Sequence, residues 1–136
     1  MNENQLPRLT LSILGGADPT EFAVAQWPPD FILPSGLLSG SFFSLTRSED
    51  ELSLVCEASL VPEGVQHQAG WVALKLHGPF DFALTGILTA VLNPLRDAGV
   101  GIFAVSTFDT DYVLVKRERL SEAIATLSAA GHSLQD

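Results

Sequence analysis

Apolar residues at helical spacing, set between two runs that are typical of β-strands, dominate the second half of the chain. They recur at i, i+3, i+4, i+7, i+8 and i+11: Leu84, Ile87, Leu88, Val91, Leu92 and Leu95. This spacing places all six on one face of a helix. Asp81 is a suitable N-cap, and Gly99 is a suitable C-terminal stop. We predict a helix that begins near residue 82 and that Pro94 kinks or shortens.

The segments around this helix predict a sheet. Strands are predicted over residues 71–76, 100–106, 112–116 and 132–134. The second and third of these strands form a hairpin, and a second helix is predicted over 118–130 with Gly131 as its stop. The order β-α-β-β-α-β is that of the ferredoxin-like fold, with two helices on one face of an antiparallel sheet. In this fold we expect the strand over 71–76 to lie beside the strand over 100–106.

The first half predicts strands without a long helix, because prolines 19, 28, 29 and 34 interrupt it. Strands are predicted over residues 9–14, 22–27, 41–46 and 52–57. Residues 48–51 join the last two as a hairpin. Residues 58–70 contain Pro62, Gly64 and Gly70 and predict a loop that could be a linker.

An internal repeat relates the halves. A shift of 60 residues places Phe43 on Phe103 and Leu54 on Leu114. We therefore predict an α+β chain that contains two related subdomains. Residues 1–65 form a degenerate, strand-rich one, and residues 66–136 form the complete βαββαβ one.

Composition excludes several classes of function. The chain has 136 residues, with 7 basic and 16 acidic side chains and a formal net charge of −9. This balance argues against binding to nucleic acid or anionic membranes. A single cysteine excludes an intrachain disulfide and a multi-cysteine metal site. Neither a secretory signal nor an apolar run long enough to span a membrane is evident, so we expect a cytoplasmic protein without a metal or cofactor.

Catalytic motifs are absent from the sequence. The three histidines, at 67, 77 and 132, lie at predicted loop or strand boundaries and lack the spacing of metal ligands. Cys56 ends a predicted strand and is interpreted as a small packed apolar residue. We expect no close pair of a nucleophile and a histidine, and therefore no enzyme.

The segment His77-Gly78-Pro79-Phe80-Asp81 links a predicted strand to a helix start. Free amides and the dipole at a helix start favour an anion, and Gly78 allows close approach to the backbone. Asp109 is assigned to turn chemistry, whereas Asp111 is open to a recognition role. Together these features describe a site for an α-amino acid. The simpler alternative is that Gly78 and Pro79 only form a turn and Asp81 only caps the helix, and the residues alone favour it.

Two long segments, residues 78–86 and 102–115, resemble the ACT domain of a small bacterial family. That family is related to aspartokinase regulatory domains and to the cytosolic arginine sensors of TOR signalling. Residues 42–46 and 51–56 resemble the N-terminal ACT-like half of such proteins. The resemblance therefore covers nearly the whole chain as a tandem of ACT-like units.

The resemblance implies regulatory binding of an amino acid between ACT units, without catalysis. The residues that it assigns to the ligand site are Gly78, Pro79, Phe80, Asp81, Thr107, Phe108 and Asp111. Thr107 and Phe108 would supply backbone contacts, and Asp111 would face the ammonium or a basic side chain. A homodimer and a separate regulated protein are implied as partners. The alternative is a non-catalytic interaction module with a decayed site, in which Phe80 or Phe108 would fill the pocket.

Overall fold

The computed structural model describes residues 7–78 and 86–135 of the chain. These residues group into two compact units. We call Met1–Pro19 with Val72–Asp136 the helical unit, and Thr20–Trp71 the strand unit. The division into subdomains 1–65 and 66–136 stays a prediction about sequence domains, because the packing units are defined by contacts and not by the order of residues.

Eight strands and two α-helices lie within the described residues. The strands are β1 (Thr10–Ile13), β2 (Phe22–Trp27), β3 (Ser44–Arg47), β4 (Leu52–Glu57), β5 (Gln66–Leu76), β6 (Ile102–Ser106), β7 (Asp111–Lys116) and β8 (Ser133–Gln135). The helices are α1 (Ile87–Asp97) and α2 (Leu120–Ala129). From β5 onward the order is β-α-β-β-α-β, as predicted.

Strand order in the helical unit is β6-β7-β5-β1-β8. β1 pairs antiparallel with β5 and parallel with β8. A strand from the beginning of the chain therefore lies between the first and last strands of the βαββαβ series. The expected neighbour of the 71–76 strand is wrong: β5 pairs with β7, and β6 pairs with β7 alone among the described strands. The crossover through α1 leaves a gap beside β5, and the second strand of the hairpin fills it.

The core of the helical unit lies between the sheet and both helices. Alternate residues of β5, which point to one face of a strand, pack there with buried residues of α1 and α2. This cluster includes Val72, Leu74, Leu76, Val91, Leu95, Ala123 and Leu127. Both helices therefore cover the same face of the sheet, as the ferredoxin-like fold predicts.

Helix α1 begins later than predicted. Its N-cap position is Gly86, which has a φ of +85° and supplies no side-chain cap. This conformation favours glycine and ends any helix that would run through it. The prediction that Asp81 caps this helix is therefore wrong, and the unpaired first-turn amides belong to residues that follow Gly86. Asp81 itself lies outside the described residues.

Pro94 neither breaks nor shortens α1, which continues to Asp97. A proline has no N–H, so Pro94 leaves the carbonyl of Ala90, four residues earlier, without its helical partner. His132 supplies one: its Nε2–H donates to the Ala90 carbonyl oxygen at 2.7 Å, and its Nδ1 accepts from the Leu9 N–H at 3.0 Å. The buried imidazole thus satisfies a backbone group that the proline leaves without a donor.

The strand unit is an antiparallel sheet with the order β3-β4-β2-β5. Its core consists of Ala25, Trp27, Leu37, Leu52, Leu54 and Cys56. The prediction of a loop over 58–70 is wrong from Gln66 onward, because that residue begins β5. The polar stretch pairs with β2, placing Gln66 opposite Gln26 and His67 opposite Ala25. Its strand conformation comes from this pairing and not from an apolar alternation.

The internal repeat is offset by 59 residues and not by 60. Arg47 pairs with Leu52 across the β3–β4 turn, and Ser106 pairs with Asp111 across the β6–β7 turn. Ser106 and Asp111 stand 59 residues after Arg47 and Leu52. A slip of one residue moves every side chain to the other face of a strand. The offset of 59 is the one that matches the core residues Leu54 and Val113.

Candidate functional site

A cavity of about 220 Å³ opens beside the end of β5 and the β6–β7 turn in the helical unit. The described residues that line it are Lys75, Gly78, Thr107, Asp109, Thr110 and Tyr112. Three segments of chain therefore contribute: the end of β5 with Gly78, the four-residue turn, and the start of β7. Apart from the Tyr112 ring, the side chains that line it are polar or charged, which suits a small polar ligand.

The turn is held in place by two hydroxyl groups. The Thr107 N–H donates to the Thr110 carbonyl at 2.8 Å, and the Thr107 hydroxyl accepts from the Thr110 N–H at 3.3 Å. The buried Thr110 hydroxyl donates to the Leu76 carbonyl at 2.7 Å, which ties the turn to the end of β5. The turn lies beside this strand end because β7 pairs with β5.

Two opposite charges line the cavity. Lys75 Nζ lies 6.0 Å from the centre of the Tyr112 ring, a cation–π distance. Asp109 lies in the turn, where Thr107 supplies the turn hydrogen bonds that we had assigned to this aspartate. Among the described residues, no ion pair within 4.0 Å joins Lys75 to Asp109 or involves either of them.

Asp111 lies on the other face of β7. Val113 and Val115 pack in the core beneath the helices, so Asp111, two residues before Val113, points to the same side. Tyr112 points to the opposite side, where it meets Lys75. The Asp111 carboxylate accepts a hydrogen bond from the Ser106 hydroxyl, its partner across the hairpin.

The structure brings two of the predicted site residues together, since Gly78 and Thr107 both line the cavity. Phe108 is 83% exposed and does not line it. Asp111 is not among the described lining residues. Pro79, Phe80 and Asp81 lie outside the described residues.

Four lining residues were not predicted: Lys75, Asp109, Thr110 and Tyr112. The sequence carried a signal for Lys75, which interrupts the apolar run of its strand and so points away from the core. For Tyr112 the signal required the register of β7 against β5, which the sequence does not show.

One serine–histidine contact was not expected. The Ser12 hydroxyl is hydrogen-bonded to Nε2 of His77, so the prediction that no such pair would occur is wrong. No carboxylate of the described residues contacts this histidine to orient it as a catalytic base. Burial raises the pKa of the Cys56 thiol and the Glu57 carboxylate raises it further, which disfavours a reactive thiolate.

Within residues 7–78 and 86–135, no three His, Cys, Asp or Glu side chains are grouped as metal ligands would be. No helix in the described part of the chain has the length and apolar character needed to cross a bilayer.

Strand order and helix placement define a ferredoxin-like α+β domain. A family model described as an ACT domain matches residues 66–129, and a second model, described as an N-terminal domain, matches residues 20–64. A solved protein of Agrobacterium tumefaciens, Atu0741, is 41% identical, with a TM-score of 0.86 over 94% of this chain and 92% of that one. The chain belongs to the ACT-domain family.

Two further comparisons concern the sequence and the fold. Subunit 1 of the cytosolic arginine sensor for mTORC1 of Bos taurus is 31% identical over 98 residues, which cover 64% of this chain and 30% of that protein. The chain therefore spans less than a third of that sensor. The regulatory subunit of aspartate kinase from Thermus thermophilus shares the fold, with a TM-score of 0.59 at 9% identity over 92% of this chain and 97% of that one.

Proposed function

We propose that this protein is a regulatory protein that binds a small amino acid at the cavity beside β5 and the β6–β7 turn. One observation carries the proposal: Gly78 and Thr107, which the resemblance assigned to ligand contacts, lie on separate segments and line one cavity. The remaining predicted contacts, from residues 79–81, Phe108 and Asp111, belong to the same proposal.

The relatives support a regulatory role without catalysis. A cytosolic arginine sensor and a regulatory subunit of aspartate kinase are among them. Arginine is the first ligand to test, because it is the one named for the sensor that this chain resembles. The formal net charge of −9 favours a cationic ligand only weakly, since it says little about one pocket.

The proposed mechanism is differential binding. An amino acid held between this ACT domain and a second copy of the chain would stabilise one arrangement of the dimer over another. That arrangement would be passed to a separate regulated protein in the cytoplasm. The proposal includes no nucleic acid, membrane, metal or cofactor.

The alternative function, an interaction module with a decayed site, predicts a cavity filled by an aromatic side chain. Phe108 is exposed and does not line the cavity, so it does not occupy this space. Phe80 lies outside the described residues. The position of Phe108 therefore supports ligand binding over a module in which this side chain fills the cavity.

A thermal-shift screen of the twenty proteinogenic amino acids tests the proposal, with arginine first and titration calorimetry on each positive. A ligand that binds the native state alone raises its stability by RT ln(1 + [L]/Kd), about 2.7 kcal/mol at a hundredfold excess over Kd. We expect one amino acid, or a few of one chemical class, to raise the Tm. Absence of a shift and of heat for all twenty, with Asp111→Ala indistinguishable from wild type, would contradict the proposal.

A further inference from the structure

The cavity offers a ligand two unpaired opposite charges. The hydroxyls of Thr107 and Thr110 are both engaged, the first within the turn and the second with the Leu76 carbonyl. Among the described lining residues, the Lys75 ammonium and the Asp109 carboxylate are the charged groups, and neither takes part in an ion pair. Lys75 points from the end of β5 and Asp109 from the turn, so the two charges enter the cavity from different segments.

We propose that Lys75 and Asp109 bind the two charged groups of a zwitterionic ligand. The ligand's α-carboxylate contacts Lys75, and its α-ammonium contacts Asp109. This inference rests on the proposed function and assigns the orientation of the ligand's two charged groups in the cavity. A ligand with a single charge would pair with one of these two groups, and the other group would have no partner of opposite charge. A zwitterion satisfies both at once, and charge-assisted hydrogen bonds are the stronger kind.

Position and contacts select Lys75 for the carboxylate. The Tyr112 ring lies beside its ammonium at 6.0 Å, which restricts the long side chain without consuming its hydrogen-bond donors. Lys75 also lies opposite Ser12 in the β1–β5 register, so its backbone is fixed within a paired strand. A cation on a paired strand is better oriented than one on a free loop.

Asp109 is the acidic partner of the α-ammonium in this arrangement. Asp111 points to the helix side of β7 and already accepts from the Ser106 hydroxyl. Asp109 lines the cavity, and its carboxylate has no partner among the described residues. Asp50 occupies the position of Asp109 in the β3–β4 turn, 59 residues earlier, and does not line the cavity, so it is the matched control for Asp109.

The test combines variants with altered ligands. The probes are the L-amino acid with the largest thermal shift, its carboxamide, which lacks the carboxylate charge, and its N-acetyl derivative, which lacks the ammonium charge. Each is titrated calorimetrically against wild type, Lys75→Met, Asp109→Asn and Asp50→Asn. Loss of one charge-assisted contact weakens binding about tenfold.

We expect K75M and D109N each to weaken binding of the amino acid about tenfold, and D50N to change its Kd less than threefold. The carboxamide binds wild type about tenfold more weakly than the amino acid but binds K75M as well as the amino acid does. The N-acetyl derivative likewise binds wild type about tenfold more weakly than the amino acid does, and D109N binds the two ligands with equal affinity. Equal affinity of a variant for the amino acid and for the derivative that lacks one charge identifies the charge that the substituted residue contacts. A general loss of folding would not produce this pattern.

Two results overturn the inference. If the amino acid binds wild type and neither K75M nor D109N changes its Kd, the assignment of the two charges fails and the proposed function stands. If no amino acid binds wild type, both fail together. Circular dichroism and the Tm of each variant without ligand exclude misfolding as the source of a lost affinity.

Discussion

The β3–β4 and β6–β7 hairpins have the same turn in two different settings. Each turn has four residues and starts with a hydroxyl residue, Ser48 or Thr107, that accepts from backbone N–H groups of the turn. The first residue also donates its N–H to the fourth residue's carbonyl in both, at 2.9 Å in the strand unit and 2.8 Å in the helical unit. The local geometry is therefore shared and does not by itself make a site.

The hairpins differ where they meet the neighbouring strand. The half-buried Glu51 accepts an exposed hydrogen bond from the Gln26 side chain at 3.2 Å, whereas the buried Thr110 donates to the backbone of Leu76 at 2.7 Å. The next position is the buried Leu52 in one hairpin and the half-buried Asp111 in the other. The β6–β7 turn, which the buried Thr110 hydroxyl anchors to β5, lines a cavity. The anchoring residue and the polar residue after it, Asp111, therefore distinguish the β6–β7 hairpin from the β3–β4 hairpin.

The largest expected effect on stability comes from placing in the β3–β4 hairpin the aspartate that the β6–β7 hairpin has at the equivalent position. Leu52→Asp removes a core side chain and buries a carboxylate, at a cost of about 3–5 kcal/mol in the free energy of unfolding. Urea denaturation followed by tryptophan fluorescence measures it, since Trp27 packs in the same core.

The reverse exchange, Asp111→Leu, is the control and should change the free energy of unfolding by less than about 1 kcal/mol. Equal costs for the two exchanges would show that the offset of 59 does not relate equivalent positions.

The second effect concerns the buried His132 of the helical unit. This histidine has no counterpart among the buried residues described in the strand unit, where no polar side chain is fully buried. His132→Leu leaves the Leu9 N–H and the Ala90 carbonyl unpaired, which costs about 2–4 kcal/mol. Thermal and urea unfolding of the variant measure the loss.

The Pro94→Ala background sharpens this prediction. An alanine at 94 restores an N–H that can donate to the Ala90 carbonyl, so it should stabilise the His132→Leu variant more than it stabilises wild type. The difference in a double-mutant cycle should be about 1 kcal/mol. Strict additivity of the two changes would show that His132 does not replace the missing helical hydrogen bond.

The third effect concerns the anchor of the β6–β7 turn. Thr110→Val leaves the Leu76 carbonyl without its donor and should cost about 1–3 kcal/mol, while Thr110→Ser keeps the hydroxyl and most of the stability. The equivalent change in the other hairpin, Glu51→Ala, removes an exposed contact and should cost less than about 0.5 kcal/mol. If Glu51→Ala costs as much as Thr110→Val, the two turns are anchored equally and the distinction between them fails.

The smallest effect is a pH dependence at an equivalent core position. Cys56 corresponds to Val115 at the offset of 59, and burial raises the pKa of its thiol above the ordinary 9.0. The folded state therefore retains a proton that the unfolded state loses, so this contribution is complete below pH 9 and is lost as the pH rises through the raised value.

Wild type should therefore lose more stability between pH 8 and pH 10.5 than Cys56→Val, which copies the residue of the helical unit. Urea unfolding at both pH values measures the difference. Parallel pH profiles for the two proteins would contradict it.

Much of the fold followed from local pattern. The bounds of β2 and β4 agree with the predicted 22–27 and 52–57, and the order β-α-β-β-α-β was correct. Helix and strand periods are carried by residues close together in the chain, so a sequence displays them directly. The resemblance to the ACT domain also came from contiguous segments, and the family model confirms it.

Tertiary structure alone decided where distant segments meet. It placed β1 between β5 and β8, set the hairpin offset at 59 and brought Lys75 to the cavity that Asp109 lines. It also paired His132 with the carbonyl that Pro94 had left without a donor. These features depend on register and on contacts between residues far apart in the chain. A one-residue change in register reverses every side chain of a strand while leaving its local pattern unchanged.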